Sequence, residues 1–326
     1  MTDRRGIVID LDDLHDGWPD LMSKANLNVL GIHNWNPEHL ISAKIDTLIR
    51  YFQSAEGAKT VDRLDKLNIG LEFELHAMSW LLPREHYNAF PNWFRMDEDG
   101  ERTAKDNFCP SNAEALEVVR TNAVTLARRL KPSTNRYYMW QDDNKPWCNC
   151  EECRSYSMSE QNLLVMNAIL EALQTVDREA ELSYLAYMAT LESPPEKVKP
   201  RDGIFLEITG PGIHQMDQAN PQGIHNDGKF QLALARNLQV FGAARTQVLE
   251  YWLDASLQSR WKKPVKKLFF DEKTASKDIE YYNSQGIGSI TSFGVFLDER
   301  YFREYGEPPV EAYGRLLTEA DRASDV

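Results

Sequence analysis

Short apolar runs alternate with longer amphipathic segments along the whole chain. Eight runs are rich in β-branched and aromatic residues, as buried strands are, at 6–11, 28–34, 69–78, 137–140, 181–189, 203–209, 247–253 and 288–296. Between them, apolar residues recur at helical spacing, at 15–26, 37–49, 58–67, 111–130, 157–173, 229–241, 275–285 and 310–320. Two capping boxes, Ser111 with Glu114 and Ser157 with Glu160, predict helix starts. The pattern predicts an α/β fold.

Eight β/α units predict a (β/α)8 barrel, or TIM barrel, as a single domain over residues 1–326. A doubly wound parallel sheet is the alternative. It needs a Gly-rich phosphate-binding turn after an early strand, and the sequence has none. The segment 79–107 after the third strand is a long loop rich in aromatic residues, and ordered loops of this length are usually functional. The Pro-rich link at 190–202 is too short for a full helix.

The overall charge of the chain argues against two kinds of partner. The sequence has 326 residues and a formal net charge of −13, whereas nucleic acids and anionic membranes attract clustered Lys and Arg. No apolar run approaches the length of a transmembrane helix. The apolar run at the N-terminus is too short for a signal peptide and ends in acidic residues. We therefore expect a cytoplasmic protein that binds neither nucleic acid nor membrane, with no prediction of its oligomeric state.

Acidic residues recur at or near the predicted C-terminal ends of the strands. In a barrel these ends meet at one mouth, where the active sites of this fold lie. The acids are Asp10, Glu74, Asp142, Asp143, Glu207, Glu250 and Asp254. Glycoside hydrolysis needs two carboxyl groups beside the scissile bond, one as general acid and the other as nucleophile or base. The other interpretation is that these acids cap helices or stay solvated.

Aromatic side chains fall at or just after the same strand ends. Their flat apolar faces and polar edges suit sugar rings, although several would pack under loops as core. They are Trp35, Trp80, Trp93, Trp140, Trp147, Tyr187, Tyr251 and Trp252. His33, His76 and His214 lie at three different strand ends, where we expect hydrogen bonds to substrate hydroxyls or to carboxylates. A catalytic zinc site is the alternative, but HExxH-type spacing is absent.

The fourth strand leads into a group of cysteines. The stretch YYMWQDDNKPWCNCEECR holds Cys148, Cys150 and Cys153 within six positions. Thiolates this close can share one Zn²⁺, with Cys109 on the previous connection as a fourth ligand. Free buried thiols and a disulfide are the other two interpretations. A zinc ion here would be structural, because four thiolates leave no position open for substrate.

Three segments resemble a known bacterial family. FELHAMSWLLPREHYNAFPNWF, NFCPSNAEALEVV and WQDDNKPWCNCEECR are similar to landmark segments of the family labelled domain of unknown function 4838. The resemblance implies a (β/α)8 barrel related to β-hexosaminidases, α-glucuronidases and endo-β-N-acetylglucosaminidases, and glycan substrates. It also implies that Asp143 is the family's acid before the cysteines, and that His76 and Cys109 stand at matching landmarks. Related hexosaminidases carry an Asp-Glu pair where this chain has Asp142 and Asp143.

These observations lead to one expected function and two alternatives. We expect a glycoside hydrolase acting on an oligosaccharide or glycan, N-acetylhexosamine-containing glycans included. Asp143 is the expected general acid, with Asp142 next, and Asp254, Glu250 or Glu207 is its partner. No cofactor is required for this chemistry. The residues expected to bind substrate are Asp10, His33, Trp35, Glu74, His76, Trp140, Tyr187, His214, Tyr251 and Trp252. A non-catalytic glycan-binding barrel and a metal-dependent hydrolase are the alternatives.

Overall fold

Eight parallel strands close into a barrel in the computed structural model, which describes residues 3–34, 41–210 and 223–323. They are β1 (Arg4–Asp10), β2 (Val29–His33), β3 (Gly70–His76), β4 (Arg136–Trp140), β5 (Glu181–Ala186), β6 (Ile204–Ile208), β7 (Thr246–Glu250) and β8 (Ser289–Phe293). The strands follow sequence order around the barrel, and β1 pairs with both β2 and β8. The predicted (β/α)8 barrel is confirmed.

Helices cover the outside of the barrel in all but one of the connections. The described α-helices are α1 (Gly17–Lys24), α2 (Ile41–Phe52), α3 (Ala55–Lys66), α4 (Met78–Leu81), α5 (Ala113–Arg129), α6 (Met158–Leu173), α7 (Gly228–Phe241), α8 (Ala255–Gln258), α9 (Glu272–Ser284), α10 (Glu299–Tyr305) and α11 (Val310–Ala323). Every residue between β5 and β6 is described, and these residues form a single 3₁₀ turn but no α-helix. None of the described helices combines the length and the apolar character that crossing a membrane requires.

The interior of the barrel is polar at its N-terminal end. Side chains alternate along each strand, so every second residue faces inward. Arg4 donates hydrogen bonds of 2.7 and 2.8 Å to Glu72, and Tyr138 donates one of 2.7 Å to the same carboxylate. The Tyr138 hydroxyl also lies 3.1 Å from Gln247 Oε1. Glu72 is fully buried, so its charge is balanced by Arg4 and its oxygens are satisfied within the protein.

One of the two predicted capping boxes forms and the other does not. Ser157 caps α6, and its hydroxyl and the Glu160 carboxylate each accept a hydrogen bond from the other's backbone N–H. The box of Ser111 and Glu114 does not form, because Asn112 is the N-cap of α5. That prediction is wrong by one residue, since Asn caps a helix as well as Ser does.

Candidate active site at the mouth of the barrel

Four aromatic rings meet where β2, β3, β4 and β8 end. The centroid of the His33 ring lies 5.5 Å from His76, 5.5 Å from Trp140 and 5.4 Å from Phe293. His76 and Trp140 are 5.2 Å apart. Together the four rings form an aromatic floor under the mouth. Sequence reasoning missed Phe293, which is the last inward-facing residue of β8 and is recognisable only once the end of that strand is known.

Both histidine rings have a fixed orientation. Nδ1 of His33 lies 2.6 Å from the backbone carbonyl of Glu74, and Nδ1 of His76 lies 2.6 Å from that of Gln141. A carbonyl oxygen only accepts hydrogen bonds, so Nδ1 carries a proton in both rings. Burial, together with the neighbouring His76, lowers the pKa of His33 to about 3. The His33 ring is therefore neutral at pH 7.

The two consecutive acids after β4 have different surroundings. Asp142 is buried and its Oδ2 accepts a 2.7 Å hydrogen bond from Arg84, while its backbone N–H donates to Asn107 Oδ1 at 2.9 Å. Burial raises the pKa of Asp142, and the charges of Arg84 and His76 act in the opposite direction. Asp143 is exposed. The pair therefore divides as consecutive residues do at the end of a strand, one toward a loop and the other toward solvent.

Asp143 lies near two tyrosines at the mouth. Partial burial raises the pKa of Tyr187 to about 12, and the negative charge of Asp143 adds to this effect. The pKa of Tyr251 is raised well above its usual value by withdrawal from water, by Tyr187, and by the charges of Asp254 and Asp143. The Tyr251 ring continues the aromatic floor, with its centroid 5.1 Å from that of Phe293.

Asp254 lies in the loop after β7 and caps the short helix α8. Its Oδ1 accepts hydrogen bonds from the backbone N–H of Ser256 at 2.8 Å, from the Ser256 hydroxyl at 2.6 Å and from the backbone N–H of Leu257 at 3.2 Å. Burial raises the pKa of Asp254 to about 6 in spite of these hydrogen bonds. The charges of Asp254 and Asp143 both contribute to the raised pKa of Tyr251.

Glu207 and Glu74 lie inside the barrel below the floor. Glu207 accepts hydrogen bonds from Trp140 Nε1 at 2.8 Å and from Gln247 Nε2 at 3.1 Å, and burial raises its pKa to about 8. Neither carboxylate oxygen of Glu74 has a hydrogen-bond partner among the described residues. Burial and the nearby Glu207 raise the pKa of Glu74 well above its usual value. Gly31 leaves the space for it, because a Cβ there would lie 2.7 Å from Glu74 Oε1.

The expectation that all seven acids converge on the mouth is wrong for Glu250. Its carboxylate accepts a hydrogen bond from the Tyr282 hydroxyl of α9 and lies near Asp278, on the outside of the barrel. Trp252 also faces outward, with its ring centroid 6.0 Å from that of Tyr313 in α11. The reason is strand parity: in β7 the inward residues are odd-numbered, as the contact of Tyr251 with the floor shows.

Of the three remaining predicted substrate-binding residues, the structure describes Asp10. Asp10, the last residue of β1, is buried and lies 2.9 Å from Lys44 Nζ. Burial raises its pKa, and Lys44 opposes that shift. Trp35 and His214 lie outside the described residues.

The four cysteines form one buried group beside the loops that follow β3 and β4. Cys109, Cys148, Cys150 and Cys153 have Sγ atoms that all lie within 4.8 Å of one another. Each of the four is a free thiol. Within the described ranges, these four sulfur atoms are close enough to one another to bind a single metal ion.

Residues 41–292 match the family described as domain of unknown function, DUF4838. The chain belongs to this family. The matched segment of this DUF4838 protein begins in α2 and ends in β8, so it contains both loops that carry the acids and the cysteines. The resemblance seen in the three sequence segments is thereby confirmed. Among curated proteins, none matches the sequence.

The DUF4838 chain shares its fold with solved glycoside hydrolases. A glycoside hydrolase family 5 endo-β-1,4-glucanase from Bacillus licheniformis, complexed with cellotetraose, has a TM-score of 0.55 at 11% identity, over 98% of this chain and 59% of that chain. A β-galactosidase from Marinomonas ef1 has a TM-score of 0.53 at 10% identity, over 99% of this chain and 60% of that chain. A glycoside hydrolase family 5 enzyme from Prevotella bryantii B14 has a TM-score of 0.50 at 12% identity, over 98% of this chain and 96% of that chain. Identities this low establish a common fold and nothing finer.

Proposed function

We propose that the protein is a glycoside hydrolase that cleaves an oligosaccharide or glycan at the C-terminal mouth of its barrel. The observation that carries the proposal is the position of Asp143, an exposed carboxylate after β4 beside Tyr187 and Tyr251. The aromatic floor next to it suits the flat face of a sugar ring. In support, the fold is the one found in the glycoside hydrolases named above.

Asp143 is the general acid in this proposal and Asp254 its partner. Asp143 gives its proton to the glycosidic oxygen as the bond from that oxygen to the sugar carbon breaks. The carboxylate of Asp254 stabilises the positive charge on that carbon. Water then adds its hydroxyl to the carbon and gives its other proton to the carboxylate of Asp143, which restores the acid. A pKa of about 6 leaves most of Asp254 ionised at neutral pH. The Tyr251 hydroxyl donates a hydrogen bond to the substrate.

Asp254 is preferred as partner because its three hydrogen bonds within the cap of α8 all go to Oδ1, whereas the other candidate acids are enclosed or paired as whole carboxylates. Glu207 is fully buried below the aromatic floor, and Glu250 is on the outside of the barrel. Asp142 is paired with Arg84. Reaching any of the three would require substrate to enter a packed interior or to displace a partner.

Glycans that contain N-acetylhexosamine are the first substrates to test, because of the resemblance to hexosaminidase-type barrels. The experiment is a panel of nitrophenyl glycosides and N-glycans, assayed with the wild-type protein and with Asp143→Asn. Asp202→Asn is the matched control, because Asp202 is fully exposed and precedes β6 at the opposite end of the barrel. Hydrolysis by wild type and Asp202→Asn, lost in Asp143→Asn, would support the proposal.

Two other outcomes would overturn it. Binding of glycans without hydrolysis by the wild-type protein would identify a non-catalytic glycan-binding barrel. Hydrolysis that stops on treatment with a chelator and returns with added metal would identify a metal-dependent hydrolase. Within the described part of the mouth, His33 and His76 are not joined by a third side chain at metal-binding distance.

A further inference from the structure

We propose that Cys109, Cys148, Cys150 and Cys153 bind one structural Zn²⁺, and that this ion fastens the loop after β3 to the loop after β4. Cys109 precedes α5, whereas the other three cysteines follow β4. Residues of one chain separated by about forty positions therefore meet at a single point. The proposal concerns metal binding and loop geometry, and it does not depend on the glycosidase activity proposed above.

The spacing of the sulfur atoms fits one tetrahedral zinc ion. Cys109 Sγ lies 3.7 Å from Cys150 Sγ and 3.7 Å from Cys153 Sγ. Four sulfurs at about 2.3 Å from a central zinc are about 3.8 Å from one another in a regular tetrahedron. A disulfide would bring two sulfurs to about 2.05 Å. The arrangement is thus too open for a disulfide and has the size of a Zn(Cys)4 site.

The surroundings of Cys148 suit a negatively charged sulfur. The backbone N–H groups of Met96 and Cys150 point at its Sγ from 3.3 and 3.5 Å, and Arg102 Nη1 lies 3.6 Å away. N–H groups that donate to ligand atoms are the usual second layer around a bound metal, where they orient the ligands. Three N–H donors around one sulfur stabilise a negatively charged thiolate more than a neutral thiol, which accepts hydrogen bonds only weakly.

The identity of the metal follows from the ligands and their burial. Thiolates select zinc and copper(I) among the common ions, and four of them in a tetrahedron are typical of structural zinc. The four side chains are at most 3% exposed, so no position is open for water or substrate. Sulfurs that all lie within 4.8 Å of one another surround a single ion and leave no room for an iron–sulfur cluster.

The site has a mechanical consequence for the mouth. Around it the two loops are joined by hydrogen bonds from Asn107 Nδ2 to the carbonyls of Lys145 and Pro146, at 3.1 and 3.2 Å, and from Arg95 Nε to the carbonyl of Trp147 at 3.1 Å. These contacts directly follow the two acids after β4, and Asn107 Oδ1 also accepts a hydrogen bond from the backbone N–H of Asp142. A zinc ion at the far end of these contacts fixes the separation of the loops, and with it the direction in which the exposed acid points.

Metal analysis of the native protein is the direct test. Protein purified under reducing conditions, without added metal, should contain close to one zinc per chain by mass spectrometry of the elements. X-ray absorption should show four sulfur neighbours at about 2.3 Å. Replacing the zinc by Co²⁺ should give the sulfur-to-cobalt charge-transfer bands of a tetrathiolate site. Native protein without metal, whose four thiols all react with a thiol reagent and which takes up neither Zn²⁺ nor Co²⁺, would overturn the proposal.

Variants separate ligand loss from disturbed packing. Cys150→Ser should reduce the zinc content at least tenfold, while Met96→Leu should retain it. Met96 packs against the cysteines but is not a ligand in this proposal. If Cys150→Ser fails to fold, the cobalt spectrum of the wild-type protein still decides the question. Equal zinc content in a folded Cys150→Ser protein and in wild type would show that the ion binds elsewhere. Because these readouts require no substrate, their failure is distinct from a failure of the proposed glycosidase function.

Discussion

Arg84 donates a 2.7 Å hydrogen bond to Oδ2 of Asp142. This ion pair links the long loop after β3 to the end of β4. The Asp142 side chain is 8% exposed and that of Arg84 25% exposed, and Arg84 is the largest contributor to the compensation of the Asp142 charge. The neighbouring Asp143 has no share in the pair and remains exposed. The two acids therefore differ in their contacts: Asp142 joins a loop to the end of β4, and Asp143 faces solvent.

Removing the cation should destabilise the protein. Arg84→Met leaves Asp142 buried without its paired cation and should lower the free energy of unfolding by about 2–3 kcal/mol, somewhat below the loss for a fully buried pair. The double variant Arg84→Met with Asp142→Asn should recover at least half of that loss. Urea unfolding of the two single variants and the double variant measures the coupling. Additive effects of the two substitutions would show that the pair contributes nothing of its own.

Asp143→Asn should abolish general acid catalysis and leave stability unchanged. The expected loss in kcat is about 10²–10⁴-fold, with glycan affinity retained. The loss should be far smaller for a dinitrophenyl glycoside, because that leaving group departs without a proton. Because Asp143 is exposed, its melting temperature should match wild type. An equal loss for both kinds of substrate would mean that Asp143 binds the sugar but does not donate the proton.

The pH dependence of kcat/KM should report Asp254. If its carboxylate must be ionised, activity should fall as the pH drops below about 6, the pKa of this group. Ser256→Ala removes a hydrogen bond to the ionised form, which raises that pKa, so the acidic limb should move up by about 0.5–1 pH unit. Asp254→Asn keeps a good helix cap and should lose activity without losing stability. An acidic limb that stays in place in Ser256→Ala would point to another acid.

Glu74→Gln should stabilise the protein increasingly as the pH rises. The pKa of Glu74 is raised on folding, so above the ordinary value of about 4.3 the native state holds a proton that the unfolded chain releases. Stability therefore falls with rising pH, by up to about 1.4 kcal/mol per pH unit for one such group. The amide substitution removes this dependence. Chemical unfolding at several values between pH 4 and pH 8 tests it, with the exposed Glu56→Gln as control. Parallel stability curves for wild type and Glu74→Gln would contradict the expectation.

Glu250→Gln should leave kcat and KM at wild-type values. The carboxylate contacts Tyr282 on the outside of the barrel, far from any substrate at the mouth. Loss or weakening of that hydrogen bond should lower the free energy of unfolding by about 1 kcal/mol. Steady-state kinetics and thermal unfolding of the same preparation separate the two effects. A large fall in kcat with unchanged stability would return Glu250 to the list of catalytic candidates.

The sequence predicted the barrel well because the alternation of apolar runs and amphipathic segments is set by strand and helix periods. It predicted the direction of side chains less well. In the run QVLEYWL each parity combines one polar residue, Gln247 or Glu250, with large apolar or aromatic ones, since β7 is buried on its inner and outer faces. Such a run carries no signal for which side faces inward. The run therefore predicted Glu250 and Trp252 at the mouth, although both side chains face outward.

The surroundings of the acids also depend on contacts between distant segments. Nothing local distinguishes Asp142 from Asp143, and the difference comes from Arg84, fifty-eight positions earlier. The same holds for Ser111, which gives up the role of helix cap and instead lies 3.1 Å from Cys153 Sγ. These tertiary contacts outweigh the local preferences of the residues for capping or exposure. They cannot be inferred from a single sequence.

The fixed tautomer of His33 sets the polarity that a ligand meets at the floor of the mouth. With Nδ1–H committed to a backbone carbonyl, the neutral His33 ring retains only the lone pair on Nε2. The N–H of Trp140 is committed to Glu207, so the described part of the floor offers a ligand an acceptor at His33 and no free donor at Trp140. Neutral polyols such as unmodified sugars bring hydroxyl hydrogens to every position. Sugars whose hydroxyls carry sulfate or phosphate present acceptor oxygens and negative charge at those positions. We expect them to bind this mouth more weakly than unmodified sugars.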